Sequence, residues 1–145
     1  MASKREQILA AIRSTLTGTT GVGTRIYRSR VEAFQRNETP AIVIEPANDT
    51  SSSEPVSTCK IDWTLQVLIA VHTRGGAIPD QTADPILVSI HSKLMTDRTL
   101  GGLALDILPV SVVPSFESSD LPSAWTVCTF SVRYRTLIED ISQAP

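Results

Sequence analysis

The sequence predicts an α+β fold, a two-layer sandwich in which a mixed, mainly antiparallel β-sheet carries two helices on one face, in the order α-β-β-β-α-β-β. Three observations carry that prediction. An N-terminal segment and a central segment place apolar residues at helical spacing, and five extended or alternating runs are distributed three before and two after the central helix. At 145 residues the chain fits one domain with a single core.

The first helix starts at Ser3-Lys4-Arg5-Glu6, where a hydroxyl and a carboxylate three residues apart have the spacing of a capping box. Ile8, Leu9, Ile12 and Leu16 then share one face, and Gly18 ends the pattern. A first strand is expected within Gly23 to Arg30, around Ile26 and Tyr27, and a second from Pro40 to Pro46 around Ala41-Ile42-Val43-Ile44. Residues 47–57 are rich in Asn, Asp, Ser, Thr, Glu and Pro and read as a mobile loop or an extended hairpin tip.

From Cys59 to Val71 the odd positions, Cys59, Ile61, Trp63, Leu65, Val67, Ile69 and Val71, alternate with Lys60, Asp62, Thr64 and Gln66 before Leu68 and Ala70 make both faces apolar. This is the signature of a long strand that becomes central in its second half. After the Gly75-Gly76 break, a Pro79-Asp80 start leads to the second helix, in which Ala83, Ile86, Leu87, Ile90 and Leu94 hold helical spacing; Asp84-Pro85 offers an alternative N-cap and first position, which would make the helix shorter. Leu103 to Glu117 reads as a strand bent by Pro109 and Pro114 and placed at an edge, and Ser118 to Ser123 as a loop. The last strand, Ala124 to Leu137, sets Cys128, Phe130, Val132 and Tyr134 against Trp125, Val127, Arg133 and Arg135. Residues 138–145 are expected to form a loose tail. Both helices should bury their apolar stripes against the face that bears the odd residues of the long strand.

The composition, 41% apolar and 19% charged, is that of a packed protein rather than a disordered one. No run supplies the ~20 apolar residues of a membrane helix, and the charged start, Met1 to Glu6, reads as a helix start rather than a signal peptide. Cys59 and Cys128, far apart in alternating apolar segments, are placed as buried thiols of a reducing compartment, and two cysteines with two histidines do not make a structural zinc set. Thr19-Thr20-Gly21-Val22-Gly23-Thr24 lacks the third glycine of a dinucleotide loop and the Gly-Lys-Ser/Thr of a phosphate loop, and it precedes a strand instead of a helix, so it reads as a turn. His72, after the central strand, and His91, in the second helix, would need Ser, Cys or Asp partners that sequence cannot place, and they read as structural histidines. Asp80 and Asp84 could form a carboxylate pair, but acidic residues at a helix start are favoured by its dipole without catalysis.

Charge is distributed unevenly. Residues 1–36 hold Lys4, Arg5, Arg13, Arg25, Arg28, Arg30 and Arg36 against Glu6 and Glu32, a net +5, while the remainder is −7. Two readings fit this asymmetry equally: ordinary solvated charge, or a surface that pairs head to tail with another copy and closes a ring. Nucleic-acid binding fits less well, because the overall balance is acidic and aromatic interleaving is missing.

Arg5-Glu6-Gln7-Ile8-Leu9-Ala10-Ala11-Ile12, the Pro40 to Pro46 strand, Asp62-Trp63-Thr64-Leu65, Asp84-Pro85-Ile86-Leu87 and Asp97-Arg98-Thr99-Leu100-Gly101-Gly102-Leu103 together resemble the tail terminators of long-tailed bacteriophages, the minor tail protein U type. The resemblance runs over nearly the whole chain in element order and includes no catalytic motif. It implies a structural, non-enzymatic protein of the virion tail at the head–tail junction, present in the host cytoplasm before assembly. Its implied partners are its own copies in a hexameric ring, the major tail tube protein and a head-completion or connector protein, with no cofactor, metal, membrane or specific nucleic acid. Beside it stand Arg25, Arg28 and Arg30 as one side of a subunit contact, Asp97 and Arg98 as another, and Asn48, Asp49, Thr50, Ser51, Ser52, Ser53 and Glu54 as a loop ordered by a partner. A head–tail connector or other tail completion protein is the neighbouring reading; a small-ligand-binding enzyme and a DNA-binding accessory protein come from other classes.

Overall fold

The structure, a computed structural model, describes residues 2–30, 38–52, 54–55, 58–75, 78–117 and 123–145. Expectations for Glu32, Arg36, Ser53, Gly76 and residues 118–122 lie outside the described residues.

Helix α1 spans Lys4–Leu16, and Ser3 Oγ accepts the Glu6 N–H at 3.2 Å, the cap that the sequence predicts. The reciprocal half of the capping box is not made. Glu6 turns its carboxylate to Arg28 instead, because a guanidinium is a stronger partner than a backbone amide. Ile8, Leu9, Ile12 and Leu16 are all buried. Strand β1 is shorter than expected, Ile26–Arg28. The chain before it is spent on a turn in which the Gly18 N–H donates to the Gly23 carbonyl at 2.9 Å, with Gly18 and Gly23 at φ +87° and +63°, where a side chain would be strained.

Strand β2 covers Ala41–Ser51, β3 Lys60–Arg74, β4 Asp106–Glu117 and β5 Ser123–Leu137. The sheet order is β1-β2-β3-β5-β4; β1 and β2 are parallel and every other pair is antiparallel. Strands β3 and β4 therefore run parallel with β5 between them, and helix α2 is the crossover of a split β-α-β unit. The α+β sandwich with both helices on one face is the architecture that the periodicity predicts: α1 packs on β1 and β2, and α2 on β3, β5 and β4.

Register follows from burial. Leu65, Val67, Ile69 and Val71 of β3 lie opposite Val132, Phe130, Cys128 and Thr126 of β5, and Ile42 and Ile44 of β2 opposite Val71 and Ile69. These side chains share the helix-facing side and are buried. On the other side Ala41 and Val43 form a smaller cluster with Tyr27, Ala70 and Trp125. Both bulges, Pro46/Asn48 in β2 and Pro109/Ser111 in β4, sit at a proline, which has no N–H for a ladder.

Helix α2 spans Pro79–Thr96 from the Pro79-Asp80 start, so the alternative start at Asp84-Pro85 lies inside it. Three further segments differ from expectation. The segment expected as a mobile loop begins as strand, with Asn48, Asp49, Thr50 and Ser51 paired to Gln66, Leu65, Thr64 and Trp63; the hairpin-tip alternative is the one realised there. Leu103 precedes β4 in a turn held by the Ala104 N–H on the Thr99 carbonyl at 2.9 Å. The C-terminal segment, expected to be loose, is tied down: the Ile138 N–H donates to Cys59 O at 2.9 Å, and Ile141 O accepts the Lys4 N–H at 2.8 Å. Lys4 starts a helix and has an unsatisfied amide, which the tail satisfies.

Ile69 is fully buried at the middle of the central strand. We expect Ile69→Ala to cost about 2–5 kcal/mol in urea-induced unfolding, the range for a buried aliphatic truncation that leaves a cavity.

Candidate functional site

The basic residues singled out by the sequence lie together along the β1 edge of the sheet, and most of their capacity is used inside the chain. Arg25 donates from Nε to Pro40 O at 2.8 Å and from Nη2 to Gly21 O at 2.7 Å, joining the glycine turn to the start of β2. Arg28 makes a two-pronged pair with Glu6, at 3.0 and 3.2 Å, which holds α1 to β1 and keeps the Glu6 carboxyl below its ordinary range. Arg30 pairs with Glu38 at 2.8 and 3.1 Å and lies over the Tyr27 ring, 4.7 Å from its centroid.

Asp97 and Arg98 lie at the far end of the sheet, between α2 and β4. The Asp97 carboxylate accepts from the Thr99 hydroxyl at 2.7 Å, from the Thr99 N–H at 3.0 Å and from the Gly101 N–H at 2.9 Å; these bonds, led by the hydroxyl, lower its pKa. They hold Leu100, Gly101 and Gly102 at φ +51°, +71° and +92°, a run that two glycines allow. Arg98 grips Asp106 at 2.7 and 2.6 Å. The two groups are thus on opposite sides of the domain, each stabilising local structure.

Within the segment Asn48–Glu54, Asp49 accepts the Tyr134 phenol, and both line a small recess of about 120 Å³ with Ser3, Arg5, Trp63 and Ile141. Burial first, then this bond, pushes the Tyr134 pKa upward. Asn48, Thr50 and Ser52 are exposed. The Ser52 hydroxyl donates to the Glu54 carbonyl at 2.8 Å. His72 is buried on the sheet's other face, with Trp125 edge-on at 4.4 Å between centroids, while His91 is exposed on α2. Among the described residues no three His, Cys, Asp or Glu side chains are grouped to hold a metal ion, and no helix is long and apolar enough to cross a membrane.

A different surface lies at the opposite edge of the sheet. Between α2 and the edge strand β4 runs a groove of about 590 Å³, floored by Cys128 and Phe130 and walled by Leu87 and Val88 on the helix and Val110 and Val112 on the strand. Burial pushes the Cys128 thiol up to about 11, so it behaves as an apolar floor residue, whereas Cys59, expected to be buried as well, is exposed because it lies in the turn before β3. Val88, Val110, Val112, Val113 and Phe116 are each more than half exposed. Sequence reasoning found β4 as an edge strand and missed this patch. The available signal was that Ile107-Leu108-Pro109-Val110-Ser111-Val112-Val113 is apolar on both faces, which a strand solvated along one edge would not need.

No family model matches the chain, and no curated protein matches its sequence. Among solved structures, its fold is similar to that of a chain in the virion of the native gene transfer agent particle, with a TM-score of 0.59, 10% identity, and coverage of 88% of this chain and 94% of that one. The likeness defines a shared α+β fold.

Asp62 sits between β3 and β5, accepting from Arg135 at 2.6 and 3.2 Å, with Arg133 at 3.9 Å; the Arg135 bond leads in holding its carboxyl below the ordinary range. A depressed folded-state pKa contributes stability that is present above the unfolded value, about 4, and is lost as pH falls through the folded value. Asp62→Asn should therefore be less stable than the parent at pH 6, with the gap closing on acidification towards pH 3 in urea titrations. A gap independent of pH would contradict this.

Proposed function

We propose that this chain is a structural subunit of a phage-type virion, and specifically a tail terminator whose copies form a hexameric ring that caps the tail tube, stops its polymerisation and presents the surface to which the filled head is joined. The observation that carries the proposal is the fold shared with a chain of the gene transfer agent virion, which extends over nearly all of both chains. It is supported by the element-by-element sequence resemblance to tail terminators and by an exposed apolar groove of the kind that marks interaction sites. The hairpin end around Thr50 and Ser52 projects polar, exposed side chains suited to a contact with the tube or a connector protein. The chemistry of the role is association, with no bond made or broken.

The test is the mass of the purified protein by light scattering over a concentration series, with and without short tail tubes, paired with electron microscopy of tube ends. The expected outcome is a species of six times the 15.7 kDa chain mass, free or on tube ends, and tubes that no longer elongate. Rings that bind heads and leave tube growth unchanged would replace this role with that of a connector. A chain-mass species that ignores both would overturn the proposal.

A further inference from the structure

We infer that the α2–β4 groove, with the apolar edge of β4, is the surface on which a second copy of this chain docks, and that the second copy presents its α1–β1 flank, so that copies associate head to tail. This names the contact within the proposed ring and to that extent rests on that reading.

The first argument is clustering. Of the ten large apolar side chains exposed among the described residues, five belong to β4: Val110 and Val112 line the groove opposite Val88, Phe116, paired with Ala124, lies on the same side of the sheet, and Leu108 and Val113, paired with Ser131 and Val127, lie on its other face. Single exposed apolar residues are ordinary on a monomer, but a contiguous patch bordering a groove is a site for a partner.

The second argument concerns the edge itself. The Ile107 N–H is taken by its neighbour's carboxylate, Asp106 Oδ1, at 2.8 Å, Pro109 and Pro114 have no N–H, and a bulge interrupts the strand between Pro109 and Ser111. A partner strand could not continue the ladder past these points. Docking is therefore through side chains entering the groove, which a folded flank supplies and an added strand does not.

The third argument selects the partner. Asp84 precedes Val88 by four residues and His91 by seven, so it lies on the helix flank that borders the groove. The segment from Pro79 to Glu117 carries a net −3, and Lys4 to Arg30, at the opposite side of the sheet, a net +5. On α1, Arg13 follows Glu6 by seven residues and shares the flank that Glu6 turns to β1; it is exposed, and among the described residues it has no carboxylate partner. A groove-to-groove dimer would bring Asp84 of each copy to the same acidic contact. A head-to-tail contact sets Arg13 and its neighbours against the Asp84 flank, and repeating that step closes a ring where the rotation permits.

The experiment uses three variants of the full chain: Val112→Glu in the groove, Val88→Glu as a second groove change on an exposed helix position, and the double change Ala10→Glu/Arg13→Glu on the basic flank. Each is checked by circular dichroism and weighed by light scattering under the conditions in which the parent assembles, on tube ends if needed. Each variant alone should fall to the single-chain mass, and a mixture of Val88→Glu with Ala10→Glu/Arg13→Glu should give two-chain species, because one intact groove and one intact flank remain. Folded variants that assemble like the parent would overturn the inference and leave the ring standing. A mixture that stays at single-chain mass would overturn the head-to-tail arrangement. A parent that never assembles, even with tubes, would remove the ring reading as well.

Discussion

A strand hydrogen-bonded on both sides along most of its length cannot slip by one residue without turning its whole apolar set to the wrong face. Strand β3 is in that position, between β2 and β5, and its Leu65, Val67, Ile69 and Val71 must meet the helices together. That requirement sets the registers of β2 and β5, which bring Ile42, Ile44, Phe130 and Val132 to the same side. It also determines what is left over. With β5 inserted next to β3, β4 is displaced to the edge, and α2, seated over β3 and β5, leaves an open groove on the β4 side.

Electrostatics then finishes the margins of the sheet rather than its centre. Glu6 with Arg28 ties α1 to β1, Arg30 with Glu38 holds the end of β1 near the approach to β2, and Arg98 with Asp106 anchors the turn into β4. These pairs are partly solvated, so their individual contribution to stability is small and their use is in position. Among the described residues, the charges without an ion pair include basic Lys4, Arg5 and Arg13 on α1 and acidic Asp80 and Asp84 on α2. The fold converts an asymmetry along the chain into an asymmetry across the molecule.

The fold class, the element order and the helix-facing residues of β3 and β5 were legible in sequence because period-two and period-3.6 patterns report burial directly. Boundaries were less so. Pro79-Asp80 and Asp84-Pro85 both look like starts for α2 locally, and the earlier one is used, with Ala83 buried against the core between them. Asp49 looks like loop, but its carboxylate is claimed by Tyr134, eighty-five residues away, a partnership that local composition cannot reveal. The five residues read as subunit contacts were chosen for charge. Arg28, Arg30 and Arg98 prove to have carboxylate partners in their own chain, and the exposed apolar residues of β4 went unweighted because their exposure depends on where α2 comes to rest.

The central claim is that the open side of β4 and α2 is covered when copies come together. Amide hydrogen exchange, compared between the dispersed chain and its assembled form, addresses it residue by residue. The account predicts slowed exchange in 84–92 and 107–116 together with the exposed flank of α1, and little change in β3, which is already protected on both sides. Slowed exchange confined to the hairpin end near Thr50, with β4 as open in the assembly as in the free chain, would contradict it.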